Sequence, residues 1–216
     1  MSSRKVEFVT GEYYHIYNRG VDLRNIIQDK YDPMRFVECL YEFNSVDSIG
    51  SIYLKSFEKH QLSGRAAKLV SIIAYCVNPN HFHLLLKQEV DGGIQKFMHK
   101  FGGYSLYFNI KYNRTGSLFQ GKFKAKHVKN NDYFLYLSAY INLNNRVHKI
   151  SGPDALLVRS SWREYTEGLD GLADKEDVMA QFESPEAYRL FAEDSLISMW
   201  EAKEIQKELK ALRCEE

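Results

Sequence analysis

The order strand, helix, strand, strand, helix, strand, read along residues 12–128 and followed by a helix to about 144, predicts an α+β fold: a ferredoxin-like sandwich with an antiparallel sheet. Two further observations bound it. The chain has 216 residues, 44% of them apolar, enough for one domain with a sizeable core and an appendage. After residue 150 the sequence turns acidic and helical. The expected organisation is therefore a core over 1–150 and an acidic helical C-terminal extension over 151–216.

The elements follow in order. Glu12 to Asn18 is aromatic and β-branched and stops at Arg19-Gly20, which reads as a strand ending in a glycine turn. Asp32 to Phe43 repeats apolar residues at helical spacing, with Asp32 as the expected N-cap and Pro33 at the first helical position. Ser51 to Leu54 is a short strand candidate. Leu69 to Val77 is an apolar, β-rich run that Asn78-Pro79-Asn80 turns into a second strand, His81 to Leu86. Gly92-Gly93 ends that strand, and Ile94 to Tyr112 returns to helical spacing. Leu118 to Val128 reads as an irregular or β segment with lysines at alternate positions, and Asn131-Asp132 is expected to cap a helix running to about Asn144. Ser184-Pro185-Glu186 opens a further helical stretch, and Ile197 to Leu212 is a charged amphipathic helix. This tail could pack on the core, oppose a basic surface or contact a partner, and the sequence leaves the three open.

The net charge of +1 conceals a segregation. Residues 1–94 are neutral, residues 95–150 carry +9 and residues 151–216 carry −8. A block of positive charge attracts phosphate backbones through counterion release. The three cysteines, Cys39, Cys76 and Cys214, are far apart and form no CxxC pair, so neither a disulfide framework nor a zinc knuckle is indicated. With no signal-peptide pattern and no apolar run long enough for a membrane span, the expected location is cytoplasmic, with no membrane partner.

The chemistry concentrates in Asn80-His81-Phe82-His83. Residues i and i+2 of a strand share a face, so both imidazoles can reach one ion or one phosphate. Tyr140 and Asn144 share a face of the last core helix at i and i+4. Two histidines and one amide leave coordination positions open for water and phosphate oxygens, which fits an octahedral Mg²⁺ or Mn²⁺ acting as a Lewis acid. Tyr133, Tyr136 and Tyr140 form one helical stripe, and two of the three are expected to pack in the core. The stripe alone does not choose among them; Tyr140 is preferred because Asn144 lies one turn further on the same face.

These residues resemble a known family. Asn80-His81-Phe82-His83 followed by leucines resembles the HUH motif, histidine–hydrophobic–histidine, and Tyr140-Ile141-Asn142-Leu143-Asn144 resembles the tyrosine-helix motif of the single-tyrosine transposases that move as single-stranded DNA. Tyr14-His15-Ile16-Tyr17-Asn18-Arg19-Gly20 and Gly116-Ser117-Leu118-Phe119-Gln120-Gly121-Lys122-Phe123-Lys124 are similar to segments of the REP-associated tyrosine transposase branch. One departure is Asn145, where the branch has proline after the helix asparagine. The resemblance implies an HUH endonuclease core over 1–150 that cleaves and rejoins single-stranded DNA near hairpins through a 5′-phosphotyrosine. Tyr140 would be the nucleophile, and His81, His83 and Asn144 the ligands of Mg²⁺ or Mn²⁺. Arg19, Arg114, Gln120, Lys122, Lys124 and Lys126 would contact DNA. A monomer is preferred over a homodimer. The alternative is a non-catalytic, domesticated protein that only binds nucleic-acid hairpins.

Overall fold

Two sequence features decide how the sheet is built in the computed structural model, which describes residues 6–47 and 67–213. The first is the run Val70–Val77 (β2), whose residues are all buried. A strand apolar on both sides has to sit inside a sheet covered on both faces. The second is the alternation in Tyr13–Arg19 (β1), where Tyr14 and Ile16 join one core while Tyr13 faces another. With His81–Gln88 (β3), Lys124–His127 (β4) and the two-residue Arg159–Ser160 (β5), they form a five-stranded sheet in the order β4-β1-β3-β2-β5, with all pairings antiparallel. The first four strands have the ferredoxin-like order the sequence predicts.

One face of the sheet is covered by Asp32–Glu42 (α1) and Gly93–Lys111 (α2). Tyr14, Ile16, Phe82, Leu84 and Leu86 meet Phe36, Phe97, Phe101, Tyr104 and Phe108 there. Burial of each such side chain contributes about 1.5–3 kcal/mol. The other face is covered by Asn131–Asn142 (α3), which runs almost without a break into Asn144–Val147 (α4), and by Trp162–Thr166 (α5), Glu176–Met179 (α6) and Pro185–Arg213 (α7). Its core contains Ile73, Cys76 and Leu85 from the sheet with Phe134, Leu137, Ile141, Tyr165, Tyr188, Leu196 and Met199 from the helices. So α7 packs on the fold through Tyr188, Ala192, Leu196 and Met199.

Some local expectations shift. Asp32 is the first helical residue of α1, and Tyr31 holds the cap position. The Asp32 carboxylate instead accepts hydrogen bonds from the backbone N–H of Gln28 and Asp29 and from Lys111 and Tyr112. Asn130, not Asn131, caps α3, its Oδ1 accepting from Tyr133 N at 2.8 Å. Of Leu118–Val128 only Lys124–His127 is a strand, because Gly121 takes a left-handed φ of 68° that interrupts the extended backbone before it. The strand candidate at 51–54 lies outside the described residues. Among those described, no helix is long and apolar enough to cross a membrane.

Candidate active site

Alternation on three adjacent strands puts one set of polar side chains on the α3 face of the sheet. On β3 the core-facing residues Phe82, Leu84 and Leu86 pack toward α1 and α2, which turns His81, His83 and Leu85 the other way. The β1–β3 register sets Arg19 opposite His81 and Tyr17 opposite His83. The β1–β4 register sets Lys124 opposite Tyr17 and Lys126 opposite His15. Residues directly opposite on paired strands share a face, so one row across the sheet reads Lys124, Tyr17, His83 and Cys76, with Arg19 and His81 beside it.

The helix supplies the rest. The Tyr140 ring stands edge-on to His83 at 5.6 Å between centroids and to His15 at 6.3 Å. Asn144 is fully buried, and its Oδ1 lies 2.9 Å from His81 Nε2. Asn144 follows the slight break at Leu143, yet Leu143 N still donates to Ala139 O at 2.9 Å, so the Tyr140–Asn144 spacing of one turn survives. The structure thus brings together all four residues that the sequence proposed for nucleophile and cation, His81, His83, Tyr140 and Asn144.

It also adds three that sequence reasoning missed. His15 Nε2 and His83 Nδ1 are 2.8 Å apart, so one ring carries the proton for the other. His148 packs on His81 with centroids 4.6 Å apart. Asn78, fully buried in the β2–β3 turn, donates from Nδ2 to Asn144 Oδ1 at 2.7 Å and lies 2.9 Å from His81 Nε2. The alternation of β1 could have put His15 on the same face as Tyr17; nothing in the sequence marks Asn78.

Burial dominates the electrostatics. It pulls the His15 imidazole down to about 3, with Lys126 adding to the effect, and His148 down to about 4, with His81 and Lys203 adding. His83 is lowered well below its ordinary value by burial and by the neighbouring imidazoles of His15, His81 and His148. His81 is also lowered by burial, against the pull of Asn144. At neutral pH these rings are uncharged and present lone pairs. Burial raises Tyr140, while hydrogen bonding from Asn144 favours its phenolate. Asn144 Nδ2 is buried and closes no well-formed hydrogen bond, so its hold on the Tyr140 hydroxyl is a loose one.

The donor set can be tested against a divalent cation. Among the described residues no three His, Cys, Asp or Glu side chains are arranged to hold one metal ion, so an ion here would rest on two imidazoles and an amide oxygen. The 2.9 Å between His81 Nε2 and Asn144 Oδ1 fits. Neighbouring vertices of an octahedron with bonds of about 2.1 Å lie about 3 Å apart.

The residues expected at DNA divide. Arg19 donates from Nε to Gln120 Oε1, and Gln120 N donates to Arg19 O at 2.8 Å, so this pair borders His81. Lys124 lies 6.0 Å from the Tyr17 ring and Lys126 4.5 Å from the Tyr133 ring, both on the α3 side. Lys122 is exposed beyond the start of β4. Arg114 stands apart, its guanidinium 5.6 Å from the Phe108 ring in the core on the opposite face.

Residues 54–144 match the model of the family described as "Transposase IS200 like", which bears out for this segment the resemblance carried by its motifs. Among curated proteins none matches the sequence. A solved structure described as "Structure of the REP associates tyrosine transposase bound to a REP hairpin" is similar at a TM-score of 0.49 and 14% identity, covering 82% of this chain and 93% of that one.

Proposed function

We propose that this chain, with its IS200-like transposase segment, is a DNA strand transferase that cleaves and rejoins single-stranded DNA beside hairpins, using Tyr140 as nucleophile. The observation that carries this reading is the convergence of Tyr140 with His81, His83 and Asn144 in one buried patch, bordered by Arg19, Gln120, Lys124 and Lys126. Tyr140 Oη attacks the scissile phosphorus; the bond to the 3′-oxygen breaks; the phenol gives up its proton and the departing 3′-oxygen gains one. The products are a 5′-phosphotyrosine and a free 3′-OH, which reverses the step when it attacks the phosphotyrosine of a joined strand.

The chain's own groups have distinct parts. The uncharged imidazoles of His81 and His83 and the Asn144 Oδ1 would hold the cation, and Mg²⁺ or Mn²⁺ there supplies Lewis-acid charge to the phosphate oxygens. Asn144 Nδ2 favours the phenolate of Tyr140, which burial otherwise keeps protonated. His15 fixes the His83 ring from behind, the way an outer partner orients a ligand. Arg19, Gln120, Lys122, Lys124 and Lys126 hold the phosphate backbone, and Arg114 serves DNA only where the strand extends around to the far face.

A monomer is the acting unit in this reading. Both edge strands are short, four residues in β4 and two in β5, and offer little ladder for a second copy.

The test is a denaturing gel of the full chain with labelled single-stranded hairpin DNA, with Mn²⁺ or EDTA. A band shifted by the protein's mass is expected with Mn²⁺ only. Tyr140→Phe should remove it while leaving hairpin affinity within about twofold, since one hydroxyl off the DNA backbone contributes little charge. An adduct that persists in Tyr140→Phe removes Tyr140 from the role. Hairpin binding without an adduct in any divalent cation favours the non-catalytic reading.

A further inference from the structure

Asn78 is fully buried and has no part in the chemistry just described. Its backbone N–H donates to His81 O at 2.8 Å, closing the β2–β3 turn and fixing where its side chain points. Its Nδ2 lies 2.7 Å from Asn144 Oδ1 and 2.9 Å from His81 Nε2. Those two atoms are themselves 2.9 Å apart.

The proton count at that triangle is informative. His81 Nδ1 lies 2.7 Å from Asn80 Oδ1, a carbonyl oxygen that can only accept. The ring proton therefore belongs on Nδ1, and Nε2 presents a lone pair. Asn144 Oδ1 presents another. Two lone pairs at hydrogen-bond distance repel unless positive charge lies between them. Among the described residues, the groups that supply it to both are the two N–H bonds of the Asn78 amide.

We infer that Asn78 is a placeholder for the cation: its amide bridges His81 and Asn144 when no ion is bound, holds them at octahedral spacing, and competes with the ion for their lone pairs. The inference rests on the reading of His81 and Asn144 as ligands. It makes Asn78 a positioning residue that keeps the ligands arranged and lowers their affinity for metal. Binding is then an exchange, in which the ion displaces two N–H groups rather than entering a preformed gap.

The side chain at 78 sets the sign of the effect. Asn78→Asp replaces the competing donor with an anionic oxygen at the same place, while its second oxygen faces the Cys76 thiol, now 3.7 Å from Asn78 Oδ1. The expected result is Mn²⁺ binding tighter by about tenfold or more, the scale on which groups beside metal ligands act. In EDTA the same variant should melt below wild type, because three acceptors then face one another, and Mn²⁺ should narrow the gap. Asn78→Ala, which removes the donor without adding charge, should bind Mn²⁺ about threefold tighter or more by the same logic.

The measurement is free Mn²⁺ by electron paramagnetic resonance against the full-length wild type, Asn78→Asp, Asn78→Ala and His81→Ala, with melting in EDTA alongside. If Asn78→Asp does not fold, Asn78→Ala decides the question. Wild-type binding that is lost in His81→Ala but no tighter in either Asn78 variant overturns the placeholder and leaves the ligand reading intact. Absence of binding to wild type overturns both.

Discussion

His15 sits behind His83 without a charge and gains one only when its surroundings open. Burial lowers its imidazole to about 3 in the folded chain, whereas an unfolded imidazole titrates near 6.5. Between those values the unfolded state binds a proton that the folded state does not. Folding stability is therefore full above about pH 6.5 and falls as the pH drops, by up to about 1.4 kcal/mol per pH unit for each such imidazole. His83 is displaced in the same direction by burial and adds to the slope. Urea denaturation in EDTA at pH 7, 6 and 5 should show it. His15→Gln, which keeps a polar partner for His83 but does not titrate, should give a shallower fall. An unchanged slope in that variant would assign the acid sensitivity elsewhere. At this scale the sequence was legible only where spacing carried the signal. His81 and His83 are two residues apart on one strand, and Tyr140 and Asn144 one turn apart on one helix. His15 meets His83 68 residues away and Asn78 meets Asn144 66 residues away, across strand pairings and helix docking that local patterns do not encode.

The element that carries Tyr140 is held in place at its far end. Asn142, the last residue of α3, donates from Nδ2 to Tyr188 Oη at 2.8 Å and accepts at Oδ1 from Ser161 Oγ at 2.5 Å. Tyr188 is fully buried and also lies 3.2 Å from Ser138 Oγ. One turn on, Trp200 Nε1 donates to Arg146 O and Lys203 Nζ to Val147 O, satisfying carbonyls at the end of α4. Thus α7 fixes the end of the helix on which Tyr140 and Asn144 depend. Tyr188→Phe keeps the ring and strands the Asn142 amide, which should cost about 1–3 kcal/mol in thermal or urea unfolding. A loss below about 0.5 kcal/mol would mean that water or a rotated Ser161 replaces the missing hydroxyl. The sequence showed that a helix begins at Ser184-Pro185-Glu186 but left open whether it docks. Its apolar stripe of Tyr188, Ala192, Leu196 and Met199 specifies a face that must be covered and not what covers it.

Across the molecule, the fold of the first four strands was readable because each element has its own period and turn residues such as Asn78-Pro79-Asn80 and Gly92-Gly93 mark its ends. The bulge that shifts the β2–β3 register between Ile72 and Ala74 was not readable. Every residue of β2 is buried, so no exposed position marks the change of face. Charge is likewise arranged over the whole chain. Among the described residues, no ion pair joins Lys122, Lys124 or Lys126 to the acidic C-terminal segment, whose Glu193 pairs instead with Arg146 and Arg189. Those lysines remain available to a phosphate backbone. Replacing Lys124 and Lys126 by alanine should weaken single-strand binding and flatten the plot of log affinity against log salt by about 0.7 for each phosphate no longer neutralised, about 1.4 for the pair. Fluorescence anisotropy from 50 to about 300 mM salt would measure it, and an unchanged slope would place the DNA path elsewhere.

Cys76 occupies the row behind His83, its thiol near Asn78, and burial raises it to about 12. A thiol so protonated and enclosed is inert to alkylating reagents while the molecule is closed. It becomes reactive when the elements packed on this face of the sheet, the tyrosine-bearing helix among them, move away from it. The chain thus contains an intrinsic clock for local opening beneath its candidate active site, readable by peptide mapping without any engineered label. Ligands that seat on that face should slow the clock by as much as they bind the closed form in preference to the open one.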